Sequence, residues 1–157
     1  MTDLNTMLDE GRLIRRKWSS TDAAGRQLLC LYTALTGNAA ARPATCPASL
    51  MPRWLAYLLP WIDDAGTEEH WPEVVRRVAR LAPSFASLAL EVEWRVRALC
   101  VREAMRHTDD AVVLAVCERV AVLCERRGSG EVVADEEFAA ARAAAWAAWA
   151  AAPAAAM

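Results

Sequence analysis

Lysine, histidine and closely paired cysteines are scarce in this sequence, and each scarcity excludes a class of site. Only Lys17 is a lysine among the 18 basic residues. The 2 histidines, His70 and His107, are too few to suggest a catalytic triad. The 5 cysteines are an odd number and lack the spacing of zinc-binding pairs. We therefore predict reduced thiols and a fold that depends on neither metal nor disulfide.

The positions of the cysteines on the predicted helices indicate which thiols are buried. Cys100, Cys117 and Cys124 fall on or beside apolar helix faces, so we expect them to act as small core residues. Cys30 projects away from the apolar face of its predicted helix. It is therefore the thiol that we expect to be exposed, although nothing near it in the sequence would activate it.

Long apolar runs and excess positive charge are also missing. No run approaches the roughly 18 apolar residues that span a bilayer. Asp3, Asp9 and Glu10 stand where a signal peptide needs a basic start and an apolar centre. With 18 basic and 20 acidic residues, the chain has no global positive field to attract nucleic acid or an anionic membrane. We expect a cytoplasmic protein without membrane contact.

Motifs that would indicate catalysis are absent. The sequence has no glycine-rich phosphate loop, no nucleophile elbow and no HExxH motif. Glu103 and His107 lie one helical turn apart, which is typical of a salt link. The one acidic cluster, within 63–70, lacks the alternating ligand order of a calcium loop and is interpreted as a solvated turn. Its members are Asp63, Asp64, Glu68, Glu69 and His70.

What the chain does contain is helical periodicity, which predicts an all-α bundle of six or seven helices. With 157 residues and 55% hydrophobic content, one domain over 1–157 is expected. Capping residues, prolines and glycines delimit the helices. They are predicted at 3–18, 22–36, in short pieces within 47–62, and at 72–82, 91–107, 111–127 and 135 to about 153.

The helix at 91–107 is predicted to be the centre of the bundle. Its apolar residues form two opposed stripes divided by a charged strip, and two stripes indicate packing on both flanks. The next helix has a wide apolar arc and is expected to be largely buried. Truncation of Leu99 or Val120 to alanine should then cost roughly 1 to 4 kcal/mol. One stripe is Val92, Val96, Leu99 and Cys100, and the other is Trp94, Ala98, Val101 and Met105.

Two groups of residues in the first half of the chain are candidate contact surfaces. Trp54 and Trp61 belong to one helical row with Leu50 and Leu58, and such a row is either core or a patch that binds a partner. A parallel row contains Leu55, Leu59 and Ile62. Between residues 72 and 82, three arginines face solvent and would contact phosphate in a DNA-binding protein. They are Arg76, Arg77 and Arg80.

The last helix carries a third candidate surface. Phe138, Trp146 and Trp149 fall within one narrow arc of an alanine-rich helix. This arc either docks on the core of the same domain or forms a seam for another protein or a second copy of the chain. The segment Glu136–Ala152, EEFAAARAAAWAAWAAA, resembles the alanine- and tryptophan-rich helices of small proteins from GC-rich bacteria and their phages. Some of those are predicted immunity proteins, and the resemblance implies no site residue.

Taken together, these features predict a non-catalytic protein without a cofactor. We expect it to bind another protein, as an inhibitor, immunity protein or phage anti-defence factor does. The surplus of tryptophan in a small chain, 7 in all, supports this hypothesis. A DNA-binding transcriptional regulator is the alternative, and an enzyme that uses the acidic turn 63–70 is the third.

Overall fold

The fold is built almost entirely of helices. The computed structural model describes residues 3–151, except for the side chains of 148, 149 and 151. About 63% of the chain is helical, so the prediction of an all-α fold with six or seven helices is confirmed. The described part contains α1 (Leu4–Asp9), β1 (Ser19–Thr21), β2 (Gln27–Leu29), α2 (Leu31–Thr36), α3 (Arg53–Asp64), α4 (Trp71–Leu81), α5 (Leu90–Met105), α6 (Ala111–Gly128) and α7 (Asp135–Ala151).

The contacts divide the chain into two compact units, Met1–Leu88 and Ala89–Met157. The first unit contains α1 to α4, the two strands, and short 3-10 helices at Pro43–Thr45 and Ala82–Ser87. The second contains α5, α6 and α7. The single domain over 1–157 remains a prediction. Within the described residues, no helix is both long enough and apolar enough to cross a membrane.

The helix predicted at 3–18 is wrong beyond Asp9. Gly11 has a φ of 66°, a left-handed conformation that glycine adopts without a steric penalty. Leu13 then pairs with Leu29 in a β-bridge and is buried. The chain after Gly11 therefore forms a short bridged segment at Leu13 and then bends over residues 15–18, although the spacing of its apolar residues also fits a helix.

The helix predicted at 22–36 is wrong in its first half, where the chain forms a β-hairpin. Ser19 pairs with Leu29 in an antiparallel register. At the turn, the Asp22 carboxylate accepts hydrogen bonds from the backbone N–H groups of Ala24 and Arg26, at 2.9 and 2.8 Å. This side-chain turn competes with helix formation. Helix α2 therefore begins only at Leu31.

The second strand of the hairpin ends at Leu29, and this changes the environment of Cys30. This residue lies at the N-cap of α2, and its thiol accepts a hydrogen bond from the backbone N–H of Thr33 at 3.5 Å. It is buried, so the prediction that Cys30 is the exposed thiol is wrong. The prediction assumed a helix through position 30, and the direction of the side chain changed with the backbone.

Helix α3 is continuous and forms one wall of the core of the first unit. It contains Pro60 without a break, whereas the prolines predicted short pieces. Its buried side includes Leu55, Ala56 and Leu59, which pack in a cluster with residues of α1, α2 and α4. Helix α4 matches its predicted position. The largest fully buried side chains of this unit are Met7, Leu31, Tyr32, Thr33, Met51, Leu59, Asp63 and Val75.

The second unit is organised around the antiparallel pair α5 and α6. Arg95 donates from Nε to the carbonyl of Gly128 at 2.8 Å. About two turns further along α5, Arg102 bridges Glu118 and Glu125 of α6. The helices approach closely at Gly128, where an added Cβ would lie 2.9 Å from Cγ of Arg95. Helix α7 packs against α6 in a buried cluster of Leu123 from α6, Ala141 from α7 and Val133 from the segment between them.

The burial predictions for Leu99, for Cys100 and for the first half of α6 are wrong. Among the residues of α5, all of which the structure describes, only Ala98 is buried, and Leu99 is 68% exposed. In the stripe that includes Leu99, Val92 and Val96 are half-buried, whereas the residues nearer the C-terminal end of α5 remain exposed. Cys100 is likewise exposed rather than in the core, whereas Cys124 is buried as predicted. The first half of α6 also exposes apolar side chains, including Val113.

Candidate interaction surfaces

An exposed aromatic stripe runs along α3. Trp61 is 77% exposed and Tyr57, one turn earlier, is 47% exposed. The guanidinium of Arg53, one turn earlier again, lies 5.8 Å from the centroid of the Tyr57 ring. Residues four apart share a helix face, so these three side chains form one continuous surface, which we call the α3 stripe. Its backbone is held in place because the opposite side of α3 is core.

The two tryptophans that the sequence placed in one row have different environments. Trp54 is half-buried and packs against the core of the first unit. Trp61, which lies near the C-terminal end of the helix, remains in solvent. Trp54 is therefore part of the core packing, whereas Trp61 is available for contact with a partner. Tyr57 was missed by sequence reasoning, although its position four residues before Trp61 was a usable signal.

The C-terminal end of α3 is anchored by a buried carboxylate. Asp63 Oδ2 accepts a hydrogen bond from the backbone N–H of Leu31 at 3.0 Å, and Oδ1 accepts one from Trp71 Nε1 at 2.8 Å. Burial raises the pKa of Asp63 above its ordinary value. The interpretation of the acidic cluster as solvated is therefore wrong for Asp63, which joins α2, α3 and α4.

The turn that follows Asp63 is occupied by the guanidinium of Arg15. It donates from Nε to the carbonyl of Asp63 at 2.8 Å and from Nη1 to the Glu68 carboxylate at 2.8 Å. Further bonds reach the carbonyls of Asp64 and Ala65 at 2.9 and 2.8 Å. These carbonyls belong to the C-terminal end of α3, and positive charge is favourable at the C-terminal end of a helix. No group of three or more acidic, histidine or cysteine side chains in the described part is arranged to hold a metal ion.

The arginines of α4 are exposed, as predicted, but two of them face carboxylates. Arg76 lies 3.8 Å from Oδ1 of Asp9, and Arg77 lies 2.6 Å from Oε1 of Glu73. Surface pairs of this kind contribute little to stability, yet they reduce the positive potential of the helix face. The three arginines therefore form a weaker site for phosphate than their sequence spacing indicates.

The predicted aromatic arc of α7 is divided. Phe138 packs against Trp94 with ring centroids 5.1 Å apart, and the guanidinium of Arg127 lies 4.7 Å from the Trp94 ring centroid. Phe138 is thus half-buried and packs against the core of the second unit. Trp146 is 63% exposed. The side chain of Trp149 lies outside the described residues.

Comparisons of the chain with protein-family models, with curated proteins and with solved structures find no match. The function is therefore argued from these surfaces and from the chemistry of their residues.

Proposed function

We propose that this is a non-catalytic binding protein that acts on another protein, in the manner of an inhibitor, immunity protein or phage anti-defence factor. The observation that carries the proposal is the α3 stripe. Tryptophan, tyrosine and arginine are the residue types most enriched among the few that dominate binding energy. All three stand together on one helix face, and Trp61 leaves most of its indole in water.

The geometry of the stripe makes it suited to binding with little ordering cost. Aromatic side chains have few rotatable bonds, and α3 is held by its buried side, so few degrees of freedom would be lost on docking. The contact of Arg53 with the Tyr57 ring restrains the guanidinium as well. The complementary surface is an apolar pocket for the indole of Trp61, with an acidic rim for Arg53.

DNA binding by a transcriptional regulator is the alternative function. It would rest on Arg76, Arg77 and Arg80 of α4. Two of these face carboxylates, and the net charge of the chain is −2 at pH 7. Affinity for DNA would come from the counterions that the arginines release from the phosphates, and it would therefore fall steeply as the salt concentration rises. The α3 stripe predicts a weaker salt dependence, because most of its contact area is apolar.

Photo-crosslinking from the stripe tests the proposal. A benzophenone amino acid is introduced at position 61 and, as a matched control, at position 81 in α4, where Leu81 is 57% exposed. Crosslinking in the native host, followed by mass spectrometry, should identify one protein from position 61 and not from position 81. Affinity is then measured with purified partner and the Trp61→Ala, Tyr57→Ala and Leu81→Ala variants.

Loss of a central anchor typically costs about 2 kcal/mol or more, which is roughly a 30-fold rise in Kd. We expect such a loss for Trp61→Ala and no comparable change for Leu81→Ala. Each side chain is exposed, so circular dichroism should show that both variants remain folded. Unchanged binding by Trp61→Ala would refute the proposal. Loss of DNA binding in a triple alanine variant of Arg76, Arg77 and Arg80, with a steep salt slope, would favour the alternative.

A further inference from the structure

An open groove lies on the second unit, between the start of α5 and the segment that connects α6 to α7. Its volume is about 450 Å³, within the range of roughly 300–1,000 Å³ typical of binding clefts. The half-buried Trp94 contributes apolar surface to its lining, and the buried Val133 lies beneath it. At its rim, Leu90 is 67% exposed and Val132 is 94% exposed. Two large aliphatic side chains that border one groove indicate an apolar contact with a partner.

The polar residues of the groove are mainly acidic. The lining contains the carboxylates of Glu91, Glu131 and Asp135 and the single guanidinium of Arg127. Arg127 is already engaged, because it donates to Asp135 Oδ1 at 2.6 Å and to the carbonyl of Val133 at 2.8 Å.

The carboxylates differ in how far they are already neutralised. Glu131 faces Arg126 at 2.5 Å. Glu91 has no ion-pair partner within residues 3–151, so it is the carboxylate with the most acceptor capacity left. An ionised carboxylate has about four acceptor positions, so the paired groups can also accept bonds from an added cation.

We propose that this groove binds a peptide segment of a partner protein in which lysine or arginine alternates with aliphatic residues. The aliphatic side chains pack against Leu90, Trp94 and Val132, and the cationic groups meet the acidic rim. Opposite charge across an interface speeds association and selects the partner. The three carboxylates of the rim outnumber Arg126 and Arg127, which pair with two of them, and the remaining negative charge of Glu91 disfavours nucleic acid and other polyanions.

A second copy of this chain fits the groove less well than a foreign segment. The most basic stretch of the sequence, 12–17, does combine cationic residues with the aliphatic pair Leu13 and Ile14. However, Leu13 is buried and the Arg15 side chain is only 6% exposed in its own fold. A copy could present that stretch only by unfolding it.

A defined peptide probe tests the proposal. A fluorescent 14-residue peptide in which leucine and lysine alternate is compared with versions in which glutamine or glutamate replaces every lysine. Fluorescence polarisation gives Kd for the full chain and for Leu90→Ser, Val132→Ser and Glu91→Gln. The matched controls are Leu81→Ser and Glu69→Gln, which change an exposed aliphatic and an exposed acid in the first unit.

We expect the lysine peptide to bind at least about tenfold more tightly than the glutamine peptide, and the glutamate peptide to show no binding. Leu90→Ser and Val132→Ser should each weaken binding by about fivefold or more, and Glu91→Gln should reduce its salt dependence. The controls should bind as the unaltered chain does. Equal affinity for all three peptides, or equal losses in the groove and control variants, would overturn the proposal. Self-association through the groove would instead appear as a dimer that Val132→Ser dissociates.

Discussion

Removal of the Asp63 carboxylate should destabilise the first unit. In the Asp63→Ala variant, the backbone N–H of Leu31 and Nε1–H of Trp71 lose their acceptor. The Leu31 residue is fully buried and Trp71 is half-buried, so water replaces these bonds poorly. Each unsatisfied donor costs about 1–3 kcal/mol. The two donors together should therefore cost about 2–6 kcal/mol, reduced by the desolvation penalty that the carboxylate itself no longer incurs.

The stability that depends on Asp63 should also vary with pH. Burial raises the pKa of the folded-state carboxyl above its ordinary value of 3.8. The folded state therefore holds this proton more tightly than the unfolded state does. Its contribution to stability is fully present below pH 3.8 and decreases as the pH rises through the folded-state pKa. The advantage of the unaltered chain over Asp63→Asn, which cannot ionise there, should shrink in the same direction.

Urea unfolding followed by circular dichroism measures both effects. The free energy of unfolding is determined for the unaltered chain, Asp63→Ala and Asp63→Asn over a pH series from about 4 to 8. Glu69→Gln, a neighbouring exposed carboxylate, should change stability by less than about 0.5 kcal/mol at every pH. A loss below about 1 kcal/mol for Asp63→Ala, or an advantage over Asp63→Asn that grows with pH, would refute this account of Asp63.

Three further predictions follow from burial and close contacts. Leu59→Ala should cost about 2–5 kcal/mol, because Leu59 is 1% exposed, whereas Leu99→Ala should cost less than about 0.5 kcal/mol. Similar losses in urea titrations of the two variants would contradict this. Gly128→Ala should lower stability by about 1–3 kcal/mol, because its Cβ would meet Cγ of Arg95 at 2.9 Å and the Arg95 backbone nitrogen at 3.2 Å. An unchanged Tm would show that the two helices separate easily. Chelator and reductant should leave Tm unchanged, and a drop of several degrees would reveal a metal or a disulfide.

The later helices were predicted well because their signals are local. Asp110 precedes α6 and accepts hydrogen bonds from the backbone N–H groups of Val112 and Val113, as a capping residue at the predicted boundary should. The first 30 residues were predicted poorly. Apolar residues spaced for a helix are also compatible with short extended pieces, and the turn at Asp22 decided the outcome.

The candidate sites depend on contacts between distant residues. Arg15 and Asp63 are 48 positions apart, and no local pattern indicates that a guanidinium occupies the turn after α3. The acidic cluster was consequently interpreted as solvated. The sequence shows only that a residue is an aspartate, and the surrounding elements determine whether its carboxylate is buried or exposed.

Helix propensity, capping and apolar periodicity therefore determine that this chain is helical, where α4, α5 and α6 begin and end, and where α7 begins; the predicted end of α7 near Pro153 lies outside the described residues. Tertiary packing decides which side of each helix is covered. Periodicity places Trp54 and Trp61 in one row, yet only Trp54 meets the core. It also gives α5 two apolar stripes, of which the neighbouring helix buries Ala98 and leaves Leu99 in solvent. The reason is that periodicity describes a single helix, whereas burial depends on the elements that pack against it.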